Sequence, residues 1–228
     1  MRAMILAAGR GERLRPLTDT CPKPLIEAAG KPLILWHIEK LKAAGLTELV
    51  VNSAWLSEKI VSYLGDGSRF GVHITHSVEG PGGLETAGGI IKALPFLGSG
   101  DDVFLVVNGD TFIDGDYSQF AETPLPPDQK ALLFLTSNPP HHPQGDFAIS
   151  SSGSAMIRGA EYTFSGAALY RVSAFAGLPV QRLPLRPLFD VWIEEGSVCA
   201  RLLSGQWFDV GTIERLRQTE DYIKALRH

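Results

Sequence analysis

Two cysteines in 228 residues, Cys21 and Cys199, are too few for a disulfide framework or a thiolate metal site. They read as reduced thiols, so the cytoplasm is the expected location. No apolar run reaches the roughly 18 residues that would cross a bilayer, which predicts no membrane attachment. The apolar start is cut off at Gly9 and has no small-residue cleavage pattern, so it is not an export signal. An excess of positive charge is also missing: 21 lysines and arginines face 25 acids, for a net charge of −4. That disfavours nucleic acid as a partner but leaves room for a small polyanion held by a few local cations. Internal repeats, low-complexity tracts and long linkers are absent too. One domain over residues 1–228 is the simplest organisation, with no obligatory protein partner expected.

What is present is a globular composition, 44% hydrophobic, with enough apolar residues for a sizeable core. Apolar runs predict strands at 3–8, 48–53, 72–76 and 102–107, and helical spacing predicts helices at 33–44, 56–64 and 86–96. Nearly continuous apolar strands separated by helices imply a parallel sheet covered on both faces, an α/β fold. The second half is less regular. It reads as strands at 131–136, 163–171 and 198–203, a short helix at 187–195 and an amphipathic helix at 213–226. Residues 146–150 and 154–158 form a predicted hairpin across Ser151, Ser152 and Gly153.

The first strand runs into Gly9-Arg10-Gly11-Glu12-Arg13, and Lys23 follows between two prolines. Glycine lets a backbone approach an anion and turn its N–H groups toward it, so this loop suits phosphate. It is not a dinucleotide fingerprint, which would need glycine where Leu14 stands, nor a Walker loop. Asp110 follows Asn108-Gly109 just past the end of a buried strand, where ligands of α/β sheets collect. It reads as a metal-binding carboxylate or as a turn aspartate. Asp209, in Trp207-Phe208-Asp209-Val210-Gly211-Thr212, reads as a metal ligand or, like Thr212, as a helix cap. His141 and His142 are adjacent, point apart and lack a third ligand nearby, so they read as loop residues.

Taken together, L-A-A-G-x-G-x-R-L-x-P-L-T from Leu6, then P-K-P-L, G-K-P-L and W-F-D-V-G-T, resemble the signature of the sugar-1-phosphate nucleotidyltransferases. The resemblance covers essentially the whole chain. It implies a Rossmann-like, GT-A-type fold: a mixed, mainly parallel central sheet flanked by helices, with a sugar-binding elaboration in the second half. Residues 1–115 would mainly bind nucleotide and 116–228 mainly sugar. The implied catalytic residues are Arg13, Lys23 and Asp110, with Mg²⁺ held by Asp110 and Asp209. Nucleotide would lie against Ala7, Ala8, Gly9, Gly11, Glu12, Arg13, Lys23, Glu79, Gly80, Thr86 and Asn108. The sugar phosphate would meet Asn138, Gly145, Asp146, Phe164 and Ser165, in segments that match the short uridylyltransferases acting on N-acetylmuramic acid 1-phosphate. UTP and that sugar phosphate are therefore the expected substrates; glucose, mannose or N-acetylglucosamine 1-phosphate are the alternatives.

Three departures from the family pattern stand out. Glu85 and Gly88-Gly89 occupy a segment that reads L-G-T-A-x-A in many relatives, and Glu27-Ala28 replaces P-V. No E-K-P lysine lies between Ile157 and Ser165. A cytidylyltransferase would share the opening motif but not P-K-P-L and W-F-D-V-G-T. A non-catalytic nucleotide-sugar sensor should have lost one of Arg13, Lys23, Asp110 or Asp209, and all four are present.

Overall fold

Successive residues of the first strand face opposite layers, and this sets the architecture. In the computed structural model, which describes residues 1–80, 82–150, 156–158 and 161–226, β1 (Arg2–Leu6) turns Ala3 and Ile5 to one core and Met4 to another. Strands β2 (Glu48–Ser53), β3 (His73–Val78) and β4 (Val103–Asn108) complete a parallel set in the order β3-β2-β1-β4. Helices α1 (Leu33–Ala43) and α2 (Ser57–Leu64) pack Ile34, Ile38, Ile60 and Leu64 on the Ile5 face. Helix α3 (Glu85–Leu97) packs Ala87, Ile90 and Ala93 on the Met4 face. Strands buried on both sides need apolar residues at every position, which is why they read as runs rather than alternations.

The chain then leaves the sheet as β5 (Thr111–Asp114) and returns as β6 (Ala131–Ser137), β7 (Phe147–Ile149), β8 (Met156–Arg158) and β9 (Tyr162–Arg171). Strand β9 runs antiparallel to both β4 and β6, which interrupts the parallel pairing beyond β4 and makes the sheet mixed. Helix α4 (Arg186–Glu194) adds Phe189 and Trp192 to the Met4 face, and β10 (Val198–Leu202) pairs parallel with β6. The predicted hairpin arms pair as β7 and β8, Met156 opposite Ile149; its turn lies outside the described residues. Strand β11 (Gln206–Asp209) pairs antiparallel with β5, and α5 (Ile213–Ala225) closes the chain.

A third, smaller core joins Leu14, Ile26 and Leu33 from the first segment to Phe112, Val210, Leu216 and Ile223. It ties the glycine-rich loop to the last helix. Both cysteines are free, and Cys199 is buried. Among the described residues no helix is long and apolar enough to cross a membrane.

Candidate active site

Leu6 is paired with Asn52 on one side and Asn108 on the other, so β1, β2 and β4 end along one edge. A cleft of about 760 Å³ opens beyond it. It is lined from the first segment by Ala7, Ala8, Gly9, Glu12 and Lys23, and from farther along the chain by Glu79, Thr86, Asn108 and Asp110. Nine sequence-predicted positions thus meet in one place.

The loop after β1 is shaped by Gly11, whose φ of +68° a side chain would resist. A Cβ there would also stand 2.9 Å from Thr18 Cγ2 and 3.2 Å from Lys23 Cβ. The Thr18 hydroxyl donates to the Gly11 carbonyl at 2.9 Å, and buried Leu14 pins the following turn. Pro22 and Pro24 hold Lys23 in a single helical turn, its side chain buried with Nζ 2.6 Å from Asp110 Oδ2. Asp110 reaches that position because Gly109 donates to the Leu6 carbonyl at 2.9 Å, where a Cβ would stand 2.7 Å from the same oxygen.

His37 braces this turn from beneath. Its Nε2 is 2.8 Å from the Thr111 carbonyl and its Nδ1 is 2.7 Å from the Tyr117 hydroxyl. A carbonyl only accepts, so Nε2 carries the proton and Nδ1 accepts from Tyr117. Burial pushes the His37 pKa down to about 4, so the ring is neutral at physiological pH.

Asp209 lies beside Asp110: it pairs with Thr111 across β11 and β5, and the Val210 N–H donates to the Asp110 carbonyl at 3.1 Å. The capping role falls to Thr212, which accepts the Arg215 N–H, leaving the Asp209 carboxylate free of it. Arg215 Nη1 donates to Asp209 Oδ2 at 2.7 Å, and His141 Nε2 is 3.6 Å from the same oxygen. Burial, then the Arg215 charge, hold the His141 imidazolium less favoured than usual. His142 faces Asp146 instead, at 3.1 Å, so the two histidines do part.

Arg13 and Gly11 do not line the cleft itself. The Arg13 guanidinium stands beside Gly211, 3.0 Å from where a Cβ would be, with Arg215 on the same point at 2.2 Å. Gly80 accepts the Gly83 N–H next to Glu79. The predicted sugar residues cluster apart from the nucleotide cleft, around the start of β9. Thr163 donates to Asn138 Oδ1, Gly145 (φ +58°) packs on Asn138, and Asp146 Oδ2 accepts the Phe164 N–H. Ser165 is 1% exposed and its hydroxyl donates to the Phe134 carbonyl at 2.6 Å, within the bulge between Phe164 and Ala167. Its hydroxyl is already engaged in shaping β9. Asp114 is held by Tyr222 at the far end of β5, away from Asp110.

Among the site residues that were not anticipated are Asn52 and Arg215. Asn52 is a buried polar residue directly after the apolar stretch Leu49-Val50-Val51, a signal present in Glu48–Ser53. Arg215 sits in an amphipathic helix among other charges, where nothing in sequence separates it from a surface arginine.

A phosphate-shaped loop at the carboxyl ends of parallel strands, with a lysine–aspartate pair at its mouth, defines a nucleotide-handling α/β protein. Comparison makes the class specific: residues 2–153 match the nucleotidyl transferase family, and the chain belongs to it. It is similar to N-acetylmuramate alpha-1-phosphate uridylyltransferase of Neisseria meningitidis serogroup B, with 49% identity over 226 residues, 96% of this chain and 97% of that protein. Identity to UTP–glucose-1-phosphate uridylyltransferase of Synechocystis is 44% over 124 residues, 51% of this chain and 32% of that one. A Bacillus anthracis structure assigned as a glucose-1-phosphate thymidylyltransferase superposes with a TM-score of 0.85 at 24% identity, covering 97% of this chain and 94% of that one, which shows the shared fold.

Proposed function

We propose that this chain transfers uridylyl from UTP to N-acetylmuramic acid 1-phosphate, releasing pyrophosphate. The observation that carries the reaction type is the Lys23–Asp110 pair at the mouth of the glycine-loop cleft. The substrate follows from similarity along nearly the full length of the meningococcal enzyme. Residues 1–115 supply the nucleotide side and 116–228 the sugar side.

The donor set fits Mg²⁺. Asp110, in the turn before β5, and Asp209, at the end of the paired strand β11, would offer hard oxygen ligands, each with one oxygen already neutralised, by Lys23 and Arg215. Among the described residues no group of three His, Cys, Asp or Glu surrounds a common point. Two carboxylates leave the remaining positions to phosphate oxygens and water, as this ion prefers. When bound, the ion supplies charge neutralisation for the reacting phosphates.

The sugar phosphate oxygen attacks the α-phosphorus as the bond to pyrophosphate breaks on the opposite side. A phosphate dianion is already a nucleophile, so no side chain has to remove a proton. Lys23 presents a partly desolvated positive charge to the α-phosphate, where it is worth most. Arg13, whose guanidinium stands beside Gly211 and Arg215 rather than in the cleft lining, would have to swing toward the cleft to meet the leaving pyrophosphate. The protein's contribution is positioning and electrostatics.

Pyrophosphate release, measured with Mg²⁺ over four nucleoside triphosphates and a panel of sugar 1-phosphates, tests this reading. Turnover is expected with UTP and N-acetylmuramic acid 1-phosphate, lost with chelator and restored by Mg²⁺. Turnover confined to another sugar would overturn the substrate; none with any pair would overturn the reaction.

A further inference from the structure

Beneath the cleft lies a hydrogen-bonded chain that the reaction as described does not use. Asn52, 2% exposed, accepts the Ala7 N–H through Oδ1 at 2.8 Å and donates through Nδ2 to Glu79 Oε1 at 2.7 Å. Glu79, 5% exposed, accepts the Leu84 N–H through Oε2 at 2.7 Å, and its own N–H donates to the Ser53 carbonyl at 2.7 Å. Both side chains also line the cleft. Helix α3 approaches the pair only because residue 89 is glycine: a Cβ there would stand 2.6 Å from Glu79 Oε1 and 2.8 Å from Asn52 Nδ2. The departure from the family pattern at Gly89 therefore has a physical reason.

We propose that Asn52 is a positioning residue that couples the phosphate loop to the selection of the nucleotide base. The inference rests on the nucleotide reading of this cleft. Glu79 makes no ion pair among the described residues and is satisfied by neutral donors. A carboxylate offers only acceptors, so where it meets N3 of the base it suits uracil, whose N3 carries a hydrogen, and disfavours cytosine, whose N3 is an acceptor. The carboxylate can select only while its plane is held. Asn52 holds it, and an amide is required for the task, since the same side chain must accept from Ala7 and donate to Glu79. Through that amide the first loop, which meets phosphate, and the second, which meets the base, keep one register.

Two variants test this. Asn52→Asp keeps the acceptor for Ala7 but sets two carboxylates against each other. UTP binding, read by calorimetry, should weaken about tenfold to a hundredfold, and the preference for UTP over CTP should fall with it. Adding Glu79→Gln to Asn52→Asp restores every bond: the glutamine amide donates to the new aspartate while its carbonyl accepts from Leu84. The double variant should bind UTP at least about fivefold more tightly than Asn52→Asp, because the brace is re-formed, while its preference for UTP over CTP, which depends on the carboxylate of Glu79, stays low. If Asn52→Asp is insoluble, Asn52→Ala, which takes the donor from Glu79 Oε1, carries the same expectation. Unchanged affinity and base preference in the single variant, or a double variant that binds UTP no better than the single, would overturn the role of Asn52. Wild-type protein that binds no nucleoside triphosphate would instead overturn the reading of the cleft.

Discussion

At the scale of single residues, the site is a set of charges held in place by neighbours that have few alternatives. Lys23 is buried against Asp110 at 2.6 Å, yet the Asp110 side chain is 39% exposed. Removing the lysine therefore leaves an acid that water can reach, and the structural cost is small beside the loss of the cation that the proposed mechanism sets at the reacting phosphate. Lys23→Ala should lower kcat by at least about a hundredfold with an unchanged circular dichroism spectrum; near-normal turnover would remove Lys23 from the mechanism. Glu85 presents the opposite balance. It holds φ at +58°, where glycine is at ease and glutamate is not, and its partner Arg182 is largely exposed, so that ion pair compensates little. Glu85→Gly relieves the strain but frees the unfolded chain, for a net stabilisation of about 0.5–1 kcal/mol. A lower urea midpoint for Glu85→Gly would mean that the Arg182 contact outweighs the backbone.

At the scale of elements, the glycines at the head of α3 decide how the two halves of the chain meet. Leu183 donates to the Leu84 carbonyl, and Gly88 donates to the Leu183 carbonyl, so the segment before α4 is docked on the start of α3. A Cβ at Gly88 would stand 2.1 Å from the Gln181 carbonyl oxygen, a backbone atom that cannot step aside. Gly88→Ala should cost about 2 kcal/mol or more and speed trypsin cleavage at Arg182. A variant as stable and as resistant as the wild type would show the segment is free to move. None of this was legible in sequence, where Gly88-Gly89 appeared only as a departure from a pattern. The parallel half was legible, because buried strands and glycine-terminated helices leave strong local signals, and Glu48–Ser53 matches its expected bounds. The β5–β11 pair was not: it joins two four-residue strands far apart in the chain, and no periodicity develops over so few residues. The same limit applies to the site. Lys23 and Asp110 were found from the motifs around them, whereas Asn52 and Arg215 are defined by what they touch.

At the scale of the whole molecule, one buried histidine links the architecture of the site to the acid limit of the fold. His37 projects from α1 and binds the Thr111 carbonyl, next to Asp110, and the Tyr117 hydroxyl beyond β5. Burial lowers its pKa from about 6.5 to about 4, ahead of a smaller, opposing contribution from the Thr111 bond. Between these values the unfolded chain takes up a proton that the native protein refuses. Stability from this group is therefore complete above about pH 6.5, falls with pH down to about 4, and changes little below that. The full span is on the order of 3 kcal/mol, a sizeable part of the roughly 5–15 kcal/mol that holds a domain together. Asp66, Asp116 and Glu195 are exposed acids held below their ordinary range by hydrogen bonds, Asp66 and Asp116 to Ser68 and Ser118, Glu195 to Lys130. Their contribution is lost as pH falls through about 4.5 and below, which overlaps only the acid end of the His37 window and is common to the wild type and a His37 variant. Urea unfolding between pH 7.5 and 4.5 should show a steep decline in the wild type and a shallower one in His37→Gln, which starts less stable but has no proton to take up there. Parallel pH slopes in the two proteins would mean that the ring is solvated or already charged in the native state, and that the acid limit is set elsewhere.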